Sequence, residues 1–375
     1  MPVDDKALCC VATRNYCSRL AVAYCGVLEF NDIPLFVLVV DIEPAEKEAA
    51  AEALRRCLPA RARDWIHVVG LEDVYPGAVE SMRFYYDAFE LCTAGKAGLH
   101  DWMYRTTLVE KWLYIDSDVL CFGSLDPVLD CLAEPFGILL TPHRCTDGNG
   151  DVDDLLFLAA GCFNSGVVGV RRTAESGRFT RWYRKTLAHL SLNDVELEPA
   201  SRFTRDAVLF GDQRWLDLVP GYFEGVFVGR RRGFNLGHWN IGGDHLRRVK
   251  GALYAGDERV ILLHLSGWSP DDPSRFCRHS EHDFTGDAAW TEIYTAYCDQ
   301  LEALNGRFPS DYRYANYPDG TPVPKPHRRA YLRYLLDGGP TLGSPFAMKH
   351  RFEPMASAAA KLIWDRRFTL SNGAR

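Results

Sequence analysis

Two carboxylates one residue apart, Asp116 and Asp118, close the apolar run Trp112-Leu113-Tyr114-Ile115. A run that is apolar at every position reads as a strand buried on both faces. In open α/β sheets, ligands sit beyond the carboxyl ends of such strands, which is where this pair falls. Aspartates at i and i+2, where a strand turns, can converge on one hard cation. Carboxylate oxygens suit Mg²⁺ or Mn²⁺, and those ions bind phosphate oxygens in turn. The plainer alternative is a strand that ends in a solvated turn. The apolar run favours the cation, because such a strand end points into a crevice. The sequence has no GxxxxGK[ST], no Gly-x-Ser-x-Gly and no His-Glu-x-x-His. That removes the common nucleoside-triphosphatase, esterase and zinc-protease readings.

The elements that must position this pair follow from periodicity. Residues 8–13, 35–41, 65–69 and 112–116 read as strands, and 18–29, 45–57 and 81–91 as helices. This alternation predicts an α/β fold with a mainly parallel sheet covered on both sides. From residue 136 the rhythm changes. Short strands at 136–140, 166–170 and 260–265 stand between stretches rich in Gly, Asp and Arg. A helix is expected over 206–216. Residues 147–154, with two glycines and four aspartates, read as a mobile loop. The segment after 269 is turn-rich, with helices expected at 289–305 and 328–336. It reads as a C-terminal extension rather than an independent domain. Trp182-Tyr183 and Tyr85-Tyr86 read as core.

Composition bounds the rest. The chain has 375 residues, 47% hydrophobic and 25% charged, with a formal net charge of −7. That is ordinary globular composition, and the acidic balance argues against nucleic acid as a partner. The apolar stretches 35–40 and 155–162 fall far short of the roughly 20 residues that span a bilayer. Membrane association is expected to be peripheral at most. The N-terminus lacks a basic start and an apolar core, so no signal peptide is expected. The twelve cysteines form no CxxC pair, and those inside apolar runs (Cys25, Cys121 and Cys162) read as reduced, buried thiols in a cytoplasmic protein.

Asp116-Ser117-Asp118 is one of seven segments that stand in a familiar order. Ala12-Thr13-Arg14-Asn15-Tyr16 follows the first strand, and Glu90-Leu91-Cys92-Thr93-Ala94-Gly95-Lys96 precedes the carboxylates. Then come Phe163-Asn164-Ser165-Gly166-Val167, Gly211-Asp212-Gln213, residues 233–240 and His264-Leu265-Ser266-Gly267, with a matching tail at 314–324. With these the chain resembles glycosyltransferases of the GT-A fold, notably the family 8 type and related bacterial polysaccharide enzymes, over roughly residues 8–330.

The resemblance implies a GT-A-like, Rossmann-like domain over residues 1–269, with a mixed, mainly parallel sheet flanked by helices. Residues 270–375 form the extension packed on it. It implies metal-dependent transfer of a sugar, with retention, from a nucleotide-sugar donor to an acceptor hydroxyl. The acceptor would be a glycan, a lipid-linked sugar or a small molecule. UDP stands ahead of GDP and dTDP as the carrier. Asp116, Asp118 and His264 would hold Mn²⁺ or Mg²⁺. Ala12, Thr13, Asn15, Tyr16, Lys96, Asp116, Ser117, Asn240 and Gly267 would bind the donor. Asn164, Asp212 and Gln213 would sit at the reacting sugar. The residue types agree. Asn15 and Tyr16, where a strand meets its helix, suit a stacked base. Asn164 and Gln213 are amides that need partners when buried. His264 on an apolar strand has the alternative of a satisfied core histidine.

Two departures from the family stand out. Thr13 occupies a position where family 8 often has Asp. Trp268-Ser269 follows the late His-x-x-Gly where a Lys holds the pyrophosphate, so Arg275, Lys96 or one of Arg230, Arg231 and Arg232 must serve instead. Other readings stay open: a non-catalytic nucleotide-sugar or glycan binding module, an assembly partner without turnover, or a sugar-nucleotide pyrophosphorylase. The absence of glycine from residues 8–16 counts against the last.

Overall fold

The computed structural model describes residues 5–146, 152–194, 208–269, 271–275, 277–278 and 282–362. Strand β1 (Lys6–Ala12) pairs in parallel with β2 (Leu35–Val39) on one side and with β4 (Lys111–Ile115) on the other; β3 (Ile66–Gly70) continues beyond β2. All five residues of β2 are buried, as an apolar run covered on both faces must be. Alternate residues of β1 serve different cores. Ala7, Cys9 and Val11 pack on one face of the sheet, and Leu8, Cys10 and Ala12 on the other.

After β4 the chain makes a short strand β5 (Val119–Cys121) outside this sheet, then returns to it with β6 (Ile138–Pro142), β7 (Phe163–Arg171) and β8 (Val226–Val228). The finished sheet has seven strands in the order β3-β2-β1-β4-β7-β6-β8. Only β7 runs against the others. The expected mixed, mainly parallel sheet flanked by helices is therefore present. The helices Ala88–Thr106 and Ala174–Leu190 cover one face, and Cys17–Leu28 covers the other. Strand order reverses at β1 and β4, and the crevice at that switch is where an open sheet receives ligands.

A smaller sheet of β9 (Leu246–Val249), β10 (Ala252–Ala255) and β11 (Glu258–Arg259) packs with the helix Ala288–Ala303 around a third core. Strand β12 (Leu262–His264) then pairs antiparallel with β5, with His264 opposite Val119. This ribbon delivers His264 to the turn after β4. Residues 311–332 return to the first half, where the Arg313 amide donates to Asp41 at 3.3 Å and Arg329 to Asp194 at 2.9 Å.

Several expectations are corrected. The helix read over 81–91 breaks at Tyr86. Asp87 caps a new helix, Ala88–Thr106, by accepting from the Glu90 amide at 3.0 Å. The helix read over 206–216 is only Gln213–Leu216 among the described residues. Phe210 bridges to Asn193 in extended form, and Gly211 turns the chain at φ +54°. Such a φ interrupts a helix and favours glycine. The loop read over 147–154 lies outside the described residues at 147–151, and 152–154 begin the helix Val152–Ala160. The helix Ala174–Leu190 and strands β5, β8, β9, β10 and β11 had no counterpart in the sequence reading.

Candidate active site

The carboxyl ends of β1 and β4, the start of antiparallel β7 and the end of β12 meet at one edge of the sheet. The Asp116 amide donates to Gly166 O at 2.9 Å, so the turn carrying the carboxylates lies against the Asn164-Ser165-Gly166 segment. The Leu265 amide donates to Asp118 O at 2.9 Å, which ties the same turn to β12. Asp116, Asp118 and His264 each offer one ligand atom, and those atoms lie within 4.8 Å of one another. His264 Nε2 stands 3.3 Å from Asp118 Oδ1 and 3.8 Å from Asp116 Oδ2.

The proton on His264 follows from its neighbours. Asn235 Nδ2 donates to Asn164 Oδ1 at 2.9 Å and to Thr141 Oγ1 at 3.0 Å. Its oxygen therefore faces His264 Nδ1, 3.3 Å away, and that nitrogen carries a proton. Nε2 is the nitrogen left toward the carboxylates. An imidazole steered through its other nitrogen is the usual arrangement of a metal-binding histidine. Two carboxylates and one such imidazole form a donor set that could hold a divalent cation. Gly166 makes the approach feasible, because a Cβ there would lie 2.2 Å from His264 Cε1 and 2.8 Å from Asn164 Oδ1.

Lys96 binds the Asp116 side of the site. Its Nζ lies 3.0 Å from Asp116 Oδ1, 3.2 Å from Ser165 Oγ and 3.8 Å from Asp212 Oδ2. Burial works against its charge, but Asp116 and Asp212 outweigh burial and raise its pKa above that of an ordinary lysine. The Tyr114 hydroxyl donates to Asp116 Oδ1 at 2.6 Å. Asp212 is 1% exposed and accepts from Ser165 Oγ at 3.0 Å and Tyr183 Oη at 2.9 Å. Burial pushes this carboxyl up, against the pull of Lys96. At Asp118 burial also opposes the charge, and there His264 and Arg19 win and hold the carboxyl below its usual value.

A chain of amides adjoins these charges. Asn164 Nδ2 donates to Gln213 Oε1 and His143 Nε2, both at 3.3 Å. Gln213 Nε2 donates to Ala160 O, and His143 Nδ1 donates to Gly161 O, both at 2.8 Å. Burial pulls His143 down to about 4, so its ring is neutral and can accept from Asn164. Trp239 sets its ring edge-on to both His143 and His264, with centroids 5.3 and 5.1 Å away. Asn240 braces the turn that carries Trp239, accepting from the Gly237 amide at 2.9 Å and donating to Asn235 O at 3.1 Å.

The segment after β1 forms the far wall. Ala12 and Thr13 are buried, and Arg14–Tyr16 makes a single 3-10 turn. The Arg14 amide donates to Asp41 Oδ1 at 2.7 Å, which fixes that turn to the end of β2. Tyr16 is 40% exposed, and Asn15 Oδ1 is a buried acceptor with no partner among the described residues. Gly267, at φ +76°, turns the chain after β12, and Ser117 is buried within the carboxylate turn.

Asp116, Ser117, Asp118, His264, Lys96, Asn164, Asp212 and Gln213 thus stand together at this edge, with residues 12–16, Asn240 and Gly267 in the turns around it, whereas Arg230 and Arg231 are exposed and Arg232 and Arg275 pair with Asp244 and Asp272. Sequence reasoning gave no role to Arg19, Asp41, Tyr114, His143, Ser165, Tyr183, Asn235 or Trp239. Of these, Ser165, Asn235 and Trp239 lay in segments that the resemblance marked.

No protein-family model matches the chain. Two proteins of Bacillus subtilis (strain 168), both described as uncharacterized, are similar to it in sequence. YfnD is 26% identical over 241 residues, covering 64% of this chain and 70% of YfnD. YfnF is 24% identical over 273 residues, covering 68% of this chain and 82% of YfnF. Among solved structures, the galactosyltransferase LgtC with donor and acceptor sugar analogs is 19% identical. The match covers 80% of this chain and 99% of LgtC, with a TM-score of 0.46. The glycosyltransferase GlyE of Streptococcus pneumoniae TIGR4 is 14% identical, with 80% of this chain and 63% of GlyE covered and a TM-score of 0.43.

Proposed function

We propose that this chain is a metal-dependent glycosyltransferase that moves a sugar from a nucleotide-sugar donor to an acceptor hydroxyl. One observation carries the reading: Asp116, Asp118 and an oriented His264 converge at the strand-order switch of a mainly parallel sheet. Open sheets of this kind bind ligands at that switch, and the segment Thr13–Tyr16 lies on its other side. Bound there, Mn²⁺ or Mg²⁺ supplies positive charge to a diphosphate leaving group.

The chain's own residues divide the remaining work. Tyr16 offers an exposed ring to a base, and Asn15 Oδ1 offers an unpaired acceptor to a ring N–H such as that of uracil. This supports UDP ahead of GDP or dTDP. Lys96 holds Asp116 and Asp212 in one frame. Asn164, Gln213 and Asp212 form a polar, mostly buried wall suited to sugar hydroxyls. Both Asp212 oxygens already have donors, Ser165 and Tyr183. That favours attack by the acceptor from the leaving-group face, with retention, over a covalent intermediate on Asp212. The acceptor we propose is a glycan, a lipid-linked sugar or a small molecule.

All twelve cysteines are free thiols, which supports the reducing, cytoplasmic compartment. No helix among the described residues is long and apolar enough to cross a membrane. The test is donor hydrolysis. Incubation with UDP-, GDP- and dTDP-sugars and Mn²⁺ should release free nucleoside diphosphate slowly from one of them. Release from none, with nucleotide binding retained, would make the chain a binding module instead.

A further inference from the structure

A diphosphate held beside Asp116 and Asp118 brings more negative charge than one divalent cation cancels. A second, fixed cation must face the site from the protein. Most candidates are already spent. Lys96 is engaged by Asp116, Asp212 and Ser165. Arg14 pairs with Asp41 and Asp311, Arg232 with Asp244, Arg275 with Asp272, and Arg313 with Glu46. Arg230 and Arg231 are exposed, and Arg231 lies over Phe234.

Arg19 differs from all of these. It stands in the first turn of the helix Cys17–Leu28, directly after the Thr13–Tyr16 wall. Its guanidinium lies between two rings, 4.8 Å from the Tyr16 centroid and 5.3 Å from that of Trp268. Among the described residues no carboxylate forms an ion pair with it, and its charge acts on Asp118 from beyond that range. Its place relative to the metal-binding carboxylates is fixed through the backbone. Asp118 O accepts from Leu265 N, and Leu265 O accepts from Trp268 N, both at 2.9 Å. The Trp268 ring that covers Arg19 thus springs from a turn bonded to Asp118. Trp268 is itself 6% exposed and rests against Tyr297 at 4.8 Å, so the platform is rigid. Two aromatic faces fix the guanidinium plane without consuming its N–H donors, and a planar fork of free donors matches a phosphate.

We propose that Arg19 is the residue that grips the donor's diphosphate, held in place by Tyr16 and Trp268. The inference rests on the nucleotide-sugar reading above and deepens it: this chain takes its leaving-group cation from the first helix. Arg19 then both binds the diphosphate and stabilises it as it departs.

The test compares a nucleoside diphosphate with its monophosphate. With Mn²⁺ present, the unaltered protein should bind the preferred member of UDP, GDP and dTDP more tightly than the matching monophosphate. Arg19→Gln should weaken the diphosphate by about 10- to 100-fold while changing the monophosphate much less. Arg19→Lys should recover part of that loss, because it restores charge without the planar fork. Diphosphate binding unchanged in Arg19→Gln would overturn the proposal while leaving the transferase reading intact. So would a lowered melting temperature with unchanged binding, which would make Arg19 only a filler between two rings. Should Arg19→Gln fail to fold, Arg19→Lys decides: it must bind the diphosphate several-fold less tightly than the parent, with the monophosphate little changed. Failure of the unaltered protein to bind any of the nucleotides with metal would overturn both readings.

Discussion

At the residue scale, the site is a set of charges that tolerate one another only through specific partners. Asp118 faces His264 and has no lysine of its own, whereas Asp116 is already neutralised by Lys96. Removing Asp118 should therefore empty or misplace the metal rather than unfold the chain. Asp118→Ala is expected to lose about 10³-fold in turnover, roughly 4 kcal/mol of transition-state stabilisation. Its melting temperature should fall only modestly, since His264 and Arg19 lose the carboxylate that they stabilise. Asp126→Ala is the control: that carboxylate is exposed and pairs with Lys6 at 2.7 Å. Turnover of Asp118→Ala within a few-fold of the parent would return the pair to a plain strand-ending turn. Asn235 acts one shell further out. Asn235→Ala should raise the Mn²⁺ dissociation constant by about 10- to 100-fold, measured by calorimetry, because His264 Nδ1 loses its acceptor. An unchanged constant would show that His264 needs no such steering. The carboxylates were legible in the sequence because an apolar strand that stops at an acid is a local pattern, whereas His264 on its own strand also read as a core histidine and was singled out through the resemblance. Asn235, Arg19 and Tyr183 were not legible, because their roles exist only across the fold. The Tyr183 ring is core, as its sequence suggests, and only its hydroxyl, bonded to Asp212, belongs to the site.

At the element scale, the helix Ala88–Thr106 does most to place Lys96, and the sequence reading reached only its first turn, through residue 91. Gly95 and Gly98 read as weak helix positions, since glycine costs about 1 kcal/mol against alanine there. Packing gives the reason for both. A Cβ at Gly95 would stand 3.0 Å from Leu38 Cδ2, and one at Gly98 would stand 2.6 Å from Tyr75 Cε2. Gly95 lets the helix lie close on β1 and β2, Gly98 lets it lie close on Val74 and Tyr75, and that closeness brings Lys96 to Asp116. Strands β1, β2 and β4, by contrast, were legible because runs buried on both faces carry their own signal. The same helix buries His100, whose Nδ1 accepts from Trp112 Nε1 at 3.0 Å. Burial pulls His100 down to about 3, while the unfolded chain protonates histidine near 6.5. Between those values the unfolded state binds more protons, so stability falls as pH falls. The loss from this residue should reach about 2 kcal/mol between pH 6.5 and 5. His100→Gln keeps an acceptor for Trp112 and removes the titration. Its denaturation midpoint should therefore depend less on pH over that range. An identical pH slope in the two proteins would mean that His100 is not held neutral.

At the scale of the whole molecule, the C-terminal extension binds the first half through buried charges as well as through the apolar contact of Tyr331 and Phe352 with Phe84. Arg329, 8% exposed, donates to Asp194 and to both oxygens of Glu90, and each of those acids is 0% exposed. Arg328 beside it donates to the carbonyls of Phe84 and Tyr86 at 2.7 and 2.6 Å. The contact matters for the site because Glu90 lies in the first turn of the helix that carries Lys96. Burial raises the Glu90 pKa, and Arg329 is the main force holding it down. Replacing one member of such a cluster leaves the other charges in a dry interior, which typically costs about 3–5 kcal/mol. Arg329→Met is therefore expected to lose stability on that scale in urea denaturation, with Lys96 and the metal ligands untouched. Replacing the acid as well should be gentler. Glu90→Gln with Arg329→Met removes a stranded charge and keeps a hydrogen-bonding side chain at the helix start. The double variant should recover part of the loss, which separates a buried-charge effect from lost packing, since packing is lost equally in both. A single variant within about 1 kcal/mol of the parent would mean that water reaches the acids once Arg329 leaves. The extension would then be a loosely held cover, and residues 270–375 would earn the name of a separable domain.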